Sequence, residues 1–123
     1  MKNIWVLYSD SCNESYEIKR LKDVSLANDI NIEVFEPSDF EIILNNDKDG
    51  MYVKGIKREL PDYFFPRLGS STSYFGFTII REFERLNVPV INSSDSISMV
   101  KDKLHCQQVL AKNGLPTVVN IIL

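Results

Sequence analysis

Arg67 stands directly behind an apolar run and directly before a string of small hydroxyl residues, in the stretch FPRLGSSTSYFG from Phe65 to Gly76. A guanidinium fork, the hydroxyls of Ser70, Ser71 and Thr72, and the backbone N–H groups that open the following helical pattern together suit a carboxylate or a phosphate. Gly69 permits a tight turn between them. A structural assignment fits the same residues: Ser71 to Ser73 cap the helix, and Arg67 pairs with an acid such as Asp62 or Asp95. Residue types and spacing leave both open.

The other chemistry-bearing side chains fall away one by one. Cys12 needs a base beside it to act as a nucleophile, and the single histidine, His105, lies in a different helical segment, so an inert loop thiol is expected. His105 and Cys106 are adjacent, which points them to different faces of a helix and makes a poor metal pair. Asp47 and Asp49 in NNDKDG look like the start of a calcium loop, but the remaining oxygen ligands and the closing glutamate are missing at the required spacing. The loop SDSCNES has no glycine, so it cannot form the close backbone cradle of a dinucleotide site. Lys101 and Lys103, in VKDKLH, are expected on a solvated helix face, and spacing alone gives them no role.

The elements that must position these residues alternate. NIWVLY, Asn3 to Tyr8, is almost wholly apolar and predicts a central strand buried on both faces. Glu14 to Asn28 carries Ile18, Leu21 and Val24 at helical spacing, and INIEVFE predicts the next strand. EIILNN and MYVKGI flank DKDG and predict a hairpin about an Asp-Gly turn, inserted at the sheet edge. DYFFPRL predicts a strand that leaves its ladder at Pro66. A helix from Ser73 to Leu86, with Phe75, Ile79, Phe83 and Leu86 on one face, precedes the strand VPVIN. One long helix follows SSDS, where Ser94, Asp95 and Ser96 are all acceptable N-caps, and it stops at Asn113-Gly114 before Pro116. TVVNIIL is a last strand. Such alternation gives a Rossmann-like α/β domain with a parallel central sheet, over residues 1–93, and puts ligands beyond the carboxyl ends of the strands. The loops at Ser9 to Asn13, Gly69 to Ser73 and Ser93 to Ser96 lie at that end.

Composition narrows the function. The 123 residues carry 14 Lys and Arg against 17 Asp and Glu, a formal charge of −3, mixed along the chain. No basic stripe is available for a phosphate backbone, so nucleic acid is not an expected partner. The first apolar run breaks at Ser9 and Asp10, too short for a signal segment or a membrane span, and two distant cysteines fit a reducing cytoplasm.

The ordered stretches PRLGSSTSYFG, VPVINSSDSI and KDKLHCQQVLAKNGLP resemble the RimK-type members of the ATP-grasp ligases, the alpha-L-glutamate ligase family. The resemblance runs from the first strand through SYEIKRL, the NND segment and LPDYFFPRLGSS. It implies a three-layer pre-ATP-grasp domain over residues 1–93 and the opening of an ATP-grasp domain over residues 94–123. The family joins a carboxylate, activated by MgATP as an acyl phosphate, to an amine, adding glutamate or another amino acid to a peptide or protein. The resemblance makes Lys103 the lysine that reaches the nucleotide phosphates. It puts Arg67, Ser70, Ser71 and Thr72 on the substrate side. The family's second phosphate lysine, glycine-rich flap and magnesium ligands have no counterpart before Leu123, so this chain is expected to be inactive alone and to bind neither ATP nor Mg tightly. TVVNIIL is expected to self-associate as an exposed strand. A stand-alone, non-catalytic binding or assembly module of the same fold is the alternative.

Overall fold

The computed structural model describes residues 1–9, 15–44, 50–68 and 72–117. Cys12, Asp47, Asp49, Gly69, Ser70, Ser71 and the tail from Val118 lie outside the described residues. The chain divides into two compact units, Met1–Asn92 and Ser93–Leu123.

In the first unit β1 (Lys2–Tyr8) lies between β2 (Ile30–Phe35) and β6 (Tyr63–Arg67), both parallel to it. Trp5, Val6 and Leu7 are all buried, as a strand covered on both faces requires. Side chains alternate along a strand, so the register puts Trp5, Glu33 and Phe64 on one face and Val6, Val34 and Phe65 on the other. Two helices cover these faces. Helix α2 (Tyr74–Arg85) brings Phe83 onto the first, stacked on Phe64 with ring centroids 3.9 Å apart and edge-on to Trp5 at 6.0 Å. Helix α1 (Tyr16–Ala27), capped by Ser15, reaches the second through Glu17, which bonds Arg67. The result is an α/β architecture, with a parallel sheet between helices and an antiparallel insertion.

The insertion differs in detail from the sequence expectation. Strands β3 (Phe40–Glu41), β4 (Gly50–Val53) and β5 (Ile56–Glu59) form a separate antiparallel sheet in the order β3-β4-β5. Among the described residues EIILNN contributes only Glu41, which pairs with Tyr52 across the DKDG segment, and a second, two-residue hairpin turns at Lys54-Gly55. Lys54 at φ 51° and Gly55 at φ 79° give the positive-φ pair that matches strand twist in tight hairpins, and the Lys54 N–H donates to the Asp39 carbonyl at 2.7 Å. Phe40 joins this sheet to the core. Its ring lies within 6.3 Å of those of Trp5, Phe35, Phe64 and Phe83.

A polar clamp adds a second join. Arg58 on β5 donates from Nη1 and Nη2 to the two carboxylate oxygens of Glu33 on β2, both at 2.9 Å, and lies 5.0 Å from the Trp5 ring centroid. The Trp5 indole N–H donates to the same carboxylate at 2.9 Å. Glu33→Ala therefore removes three bonds and orphans the indole of a residue only 2% exposed. A loss of about 2 kcal/mol in unfolding free energy is expected, read from the fluorescence of Trp5, the single tryptophan. An unchanged denaturation midpoint would contradict the clamp.

Pro66 does not end its strand. Phe64 turns its N–H and C=O outward, to Pro89 and Ile91, in an isolated parallel bridge at Val90. Two residues on, Pro66 also points its nitrogen outward, where no bond to β1 is lost, and the ladder continues to Arg67 opposite Tyr8. VPVIN thus contributes a single bridge among the described residues. On α2 the buried face is Gly76, Ile79, Ile80, Glu82 and Phe83, while Phe75 is 41% exposed.

Among its described residues the second unit has two helices where one was expected: α3 (Ser94–Lys101), capped by Ser93, and α4 (Lys103–Lys112). Asp102, at φ −89° and ψ 95°, leaves the helical region, and its carboxylate accepts the His105 N–H at 3.1 Å. An acid able to cap a new helix competes here with continuation of the old one. Asn113 and Gly114, at φ 68°, end α4.

Candidate functional site

Arg67 is the last residue of β6 and its side chain is on the α1 face, 5.7 Å from the ring centroid of Phe65, two positions back. It is at the carboxyl end of the parallel sheet, where an open α/β fold receives ligands. Its partner is Glu17, in the first turn of α1, 50 residues away in sequence. Arg67 Nε donates to Glu17 Oε1 at 2.7 Å, and Nη2 lies 2.5 Å from the same oxygen. The two side chains are 47% and 40% exposed, so the pair contributes about 1 kcal/mol or less and opens at little cost.

Of the acids named from sequence, Asp62 is engaged elsewhere. Asp62 precedes β6, at the far end from Arg67, and its Oδ2 accepts the Asn3 N–H at 2.8 Å. Asp95 belongs to the first turn of α3, in the second unit.

Thr72 and the helix cap take different parts. Ser73 is the N-cap of α2, its hydroxyl accepting the Gly76 N–H at 3.1 Å. Thr72 is 2% exposed, and a Cβ on Gly76 would come within 3.4 Å of its methyl and 2.8 Å of Leu68 Cδ1. Thr72 thus supports the start of α2 from inside and does not offer an exposed hydroxyl. Ser70 and Ser71 lie outside the described residues.

Lys103 is exposed and is the first residue of α4 in the second unit, not a second-turn residue of a continuous helix. The helix dipole disfavours a cation at that end, so helix stability does not explain a lysine there. His105 is exposed and Cys106 half-buried. Among the described residues no group of three or more His, Cys, Asp and Glu is placed to hold a metal, and no helix is long and apolar enough to cross a membrane. Arg67 and Thr72 share the first unit; Lys103 belongs to the second.

Sequence reasoning missed Glu17. The signal was topological: α1 starts where β1 ends, and β1 runs parallel beside β6, so the first turn of α1 and the tip of β6 meet at one end of the sheet.

Residues 2–97 match the family model described as the RimK PreATP-grasp domain. A probable alpha-L-glutamate ligase of Pectobacterium carotovorum is 29% identical over 100 residues, covering 81% of this chain and 33% of that protein. The ribosomal protein bS6--L-glutamate ligase of Escherichia fergusonii is 31% identical over 100 residues, again with 81% and 33% covered. The chain therefore spans about a third of the length of these curated relatives. A solved structure of the ATP-grasp ligase PsnB complexed with minimal precursor superposes with a TM-score of 0.68 at 14% identity, over 95% of this chain and 47% of that one. At that identity the likeness shows the fold alone.

Proposed function

Because the chain belongs to the RimK pre-ATP-grasp family, we propose that it is the N-terminal region of an ATP-dependent carboxylate–amine ligase that adds glutamate to a peptide or protein carboxylate. The family match over residues 2–97 carries this reading. Curated relatives named as glutamate ligases support it.

In this reading the first unit supplies one wall of the substrate site. Arg67 meets a carboxylate, Ser70 and Ser71 contact the same substrate, and Thr72 holds the start of α2 in place. A half-exposed guanidinium in a weak ion pair keeps donors available for such a carboxylate. Lys103 is the residue that meets the nucleotide phosphates in the whole ligase. MgATP, when bound, supplies the phosphoryl group that activates the carboxylate; a fixed ammonium at Lys103 offsets negative charge there. The 123 residues alone do not turn over substrate or bind nucleotide tightly, and the whole enzyme works in the cytoplasm, where ATP is supplied.

The test uses the full-length protein with MgATP, glutamate and either a glutamate-ended peptide or free glutamate as acceptor, followed by intact mass. Stepwise gain of glutamyl residues is expected. No mass gain on any acceptor, by a folded full-length protein, would favour the non-catalytic binding or assembly module.

A further inference from the structure

Among its described residues the first unit contains three Arg–Glu pairs; Arg85–Glu82 lies within one helix, with Glu82 buried, and the two that join separate elements differ in geometry. Arg58 and Glu33 form a closed fork, each guanidinium nitrogen on its own oxygen, with Trp5 bonding the same carboxylate. Arg67 and Glu17 form an open one: Nε and Nη2 both meet Oε1, and among the described residues Oε2 of Glu17 and Nη1 of Arg67 carry no bond. The closed pair lies over the Trp5 ring and ties two sheets together. The open pair is half-exposed at the carboxyl edge, and both of its charges retain bonding capacity.

We propose that Glu17 and Arg67 act together as a dipolar receptor for an α-amino acid, Arg67 taking the carboxylate and Glu17 the ammonium. This rests on the ligase reading for the choice of amino acid, and it adds Glu17 as a residue that determines specificity. An α-amino acid carries both charges on one carbon, so it can bridge two side chains already in contact. Its ammonium donates to Glu17 Oε2 while its carboxylate accepts from the outward N–H groups of Arg67. The pair is neutral and so is the zwitterion's backbone, so every charge remains matched once the ligand is seated. A ligand with only a carboxylate takes Arg67 and leaves Glu17 beside like charge. A ligand with only an amine does the reverse. The receptor thereby discriminates by requiring both groups, as sites built around paired polar contacts do.

The 123-residue chain, isotope-labelled, is titrated by NMR with L-glutamate, glutarate and butylamine. Glutamate shifts the Arg67 Nε–H and Glu17 amide signals saturably, with a dissociation constant on the order of 10 mM, as two half-exposed contacts allow. Glutarate, which lacks the amine, and butylamine, which lacks the carboxylate, bind at least about 10-fold more weakly. Glu17→Gln and Arg67→Gln each weaken glutamate about 10-fold, with the denaturation midpoint nearly unchanged. The double exchange Glu17→Arg with Arg67→Glu restores binding, because both charges are again present. Equal binding of glutarate, indifference to Glu17→Gln, or no saturable shift up to about 100 mM glutamate would overturn the receptor. Glutamyl transfer by the full-length protein alongside any of these results would leave the ligase reading standing. Saturable, Glu17-dependent binding without transfer would sink the ligase reading and leave the receptor.

Discussion

Phe83→Ala lowers the unfolding free energy of the chain by about 3–5 kcal/mol, the range for truncating a buried phenylalanine that leaves a cavity. Phe83 is 0% exposed and stacks on Phe64, with its ring 6.0 Å from Trp5 and 5.8 Å from Phe40. It therefore touches the parallel sheet and the inserted sheet at once. Neighbours held by β1 and β6 cannot collapse into the space without breaking their own ladder. Against a total of roughly 5–15 kcal/mol for an ordinary domain, this is a large share. Urea denaturation monitored through Trp5 gives the midpoint; a fall in midpoint without a change of slope isolates stability. Phe75→Ala, one helix face away and 41% exposed, changes stability by no more than about 0.5 kcal/mol. Equal effects of the two substitutions would contradict the assignment of the core face.

The second large effect is on chemistry. On the proposed ligase reading, Lys103→Ala in the full-length protein is expected to lower kcat/KM for ATP by about 100-fold, the scale for losing one fixed stabilising group in phosphoryl or acyl chemistry. The fold is expected to be unchanged, since Lys103 is exposed and caps nothing; the cap of α4 is Asp102. Circular dichroism and the thermal midpoint check this. Lys103→Arg keeps the charge but not its compact shape, and recovers only part of the rate. Wild-type use of ATP by the alanine variant would remove Lys103 from the nucleotide site.

The parallel sheet was legible because burial on both faces leaves an unbroken apolar signal, as in NIWVLY, whose Trp5, Val6 and Leu7 are indeed buried. The pairing across DKDG is present as β3 against β4, and the second hairpin, from β4 to β5, was missed for a local reason. Asp-Gly in DKDG is the stronger turn signal, whereas the turn uses Lys54, a residue type that seldom takes positive φ. The tertiary setting of Phe40 and Met51, both buried, overrides that preference. The break at Asp102 was hidden by helical periodicity on both sides of it, and only the bond from His105 reveals it as a cap.

The candidate site was half legible. Arg67, its strand-end position and the Ser73 cap follow from residue types and order. Glu17 does not, because an ion pair between residues 50 apart is set by which helix crosses which face, and local sequence carries no record of that. The inaccessibility of Thr72 is likewise a packing result. Its hydroxyl suggests a ligand contact, but its methyl and Leu68 fill the space that Gly76 leaves open. The closed Glu33–Arg58–Trp5 clamp joins three segments that have no sequence feature in common.

The most direct measurement of the ligase reading is ADP release by the full-length protein with MgATP, with glutamate and the acceptor peptide added separately and together. The expected result is release that depends on both, is lost in Lys103→Ala, and accompanies glutamyl transfer to the peptide. No ADP release under any of these conditions, from a folded protein of full length, would contradict the ligase reading of this chain.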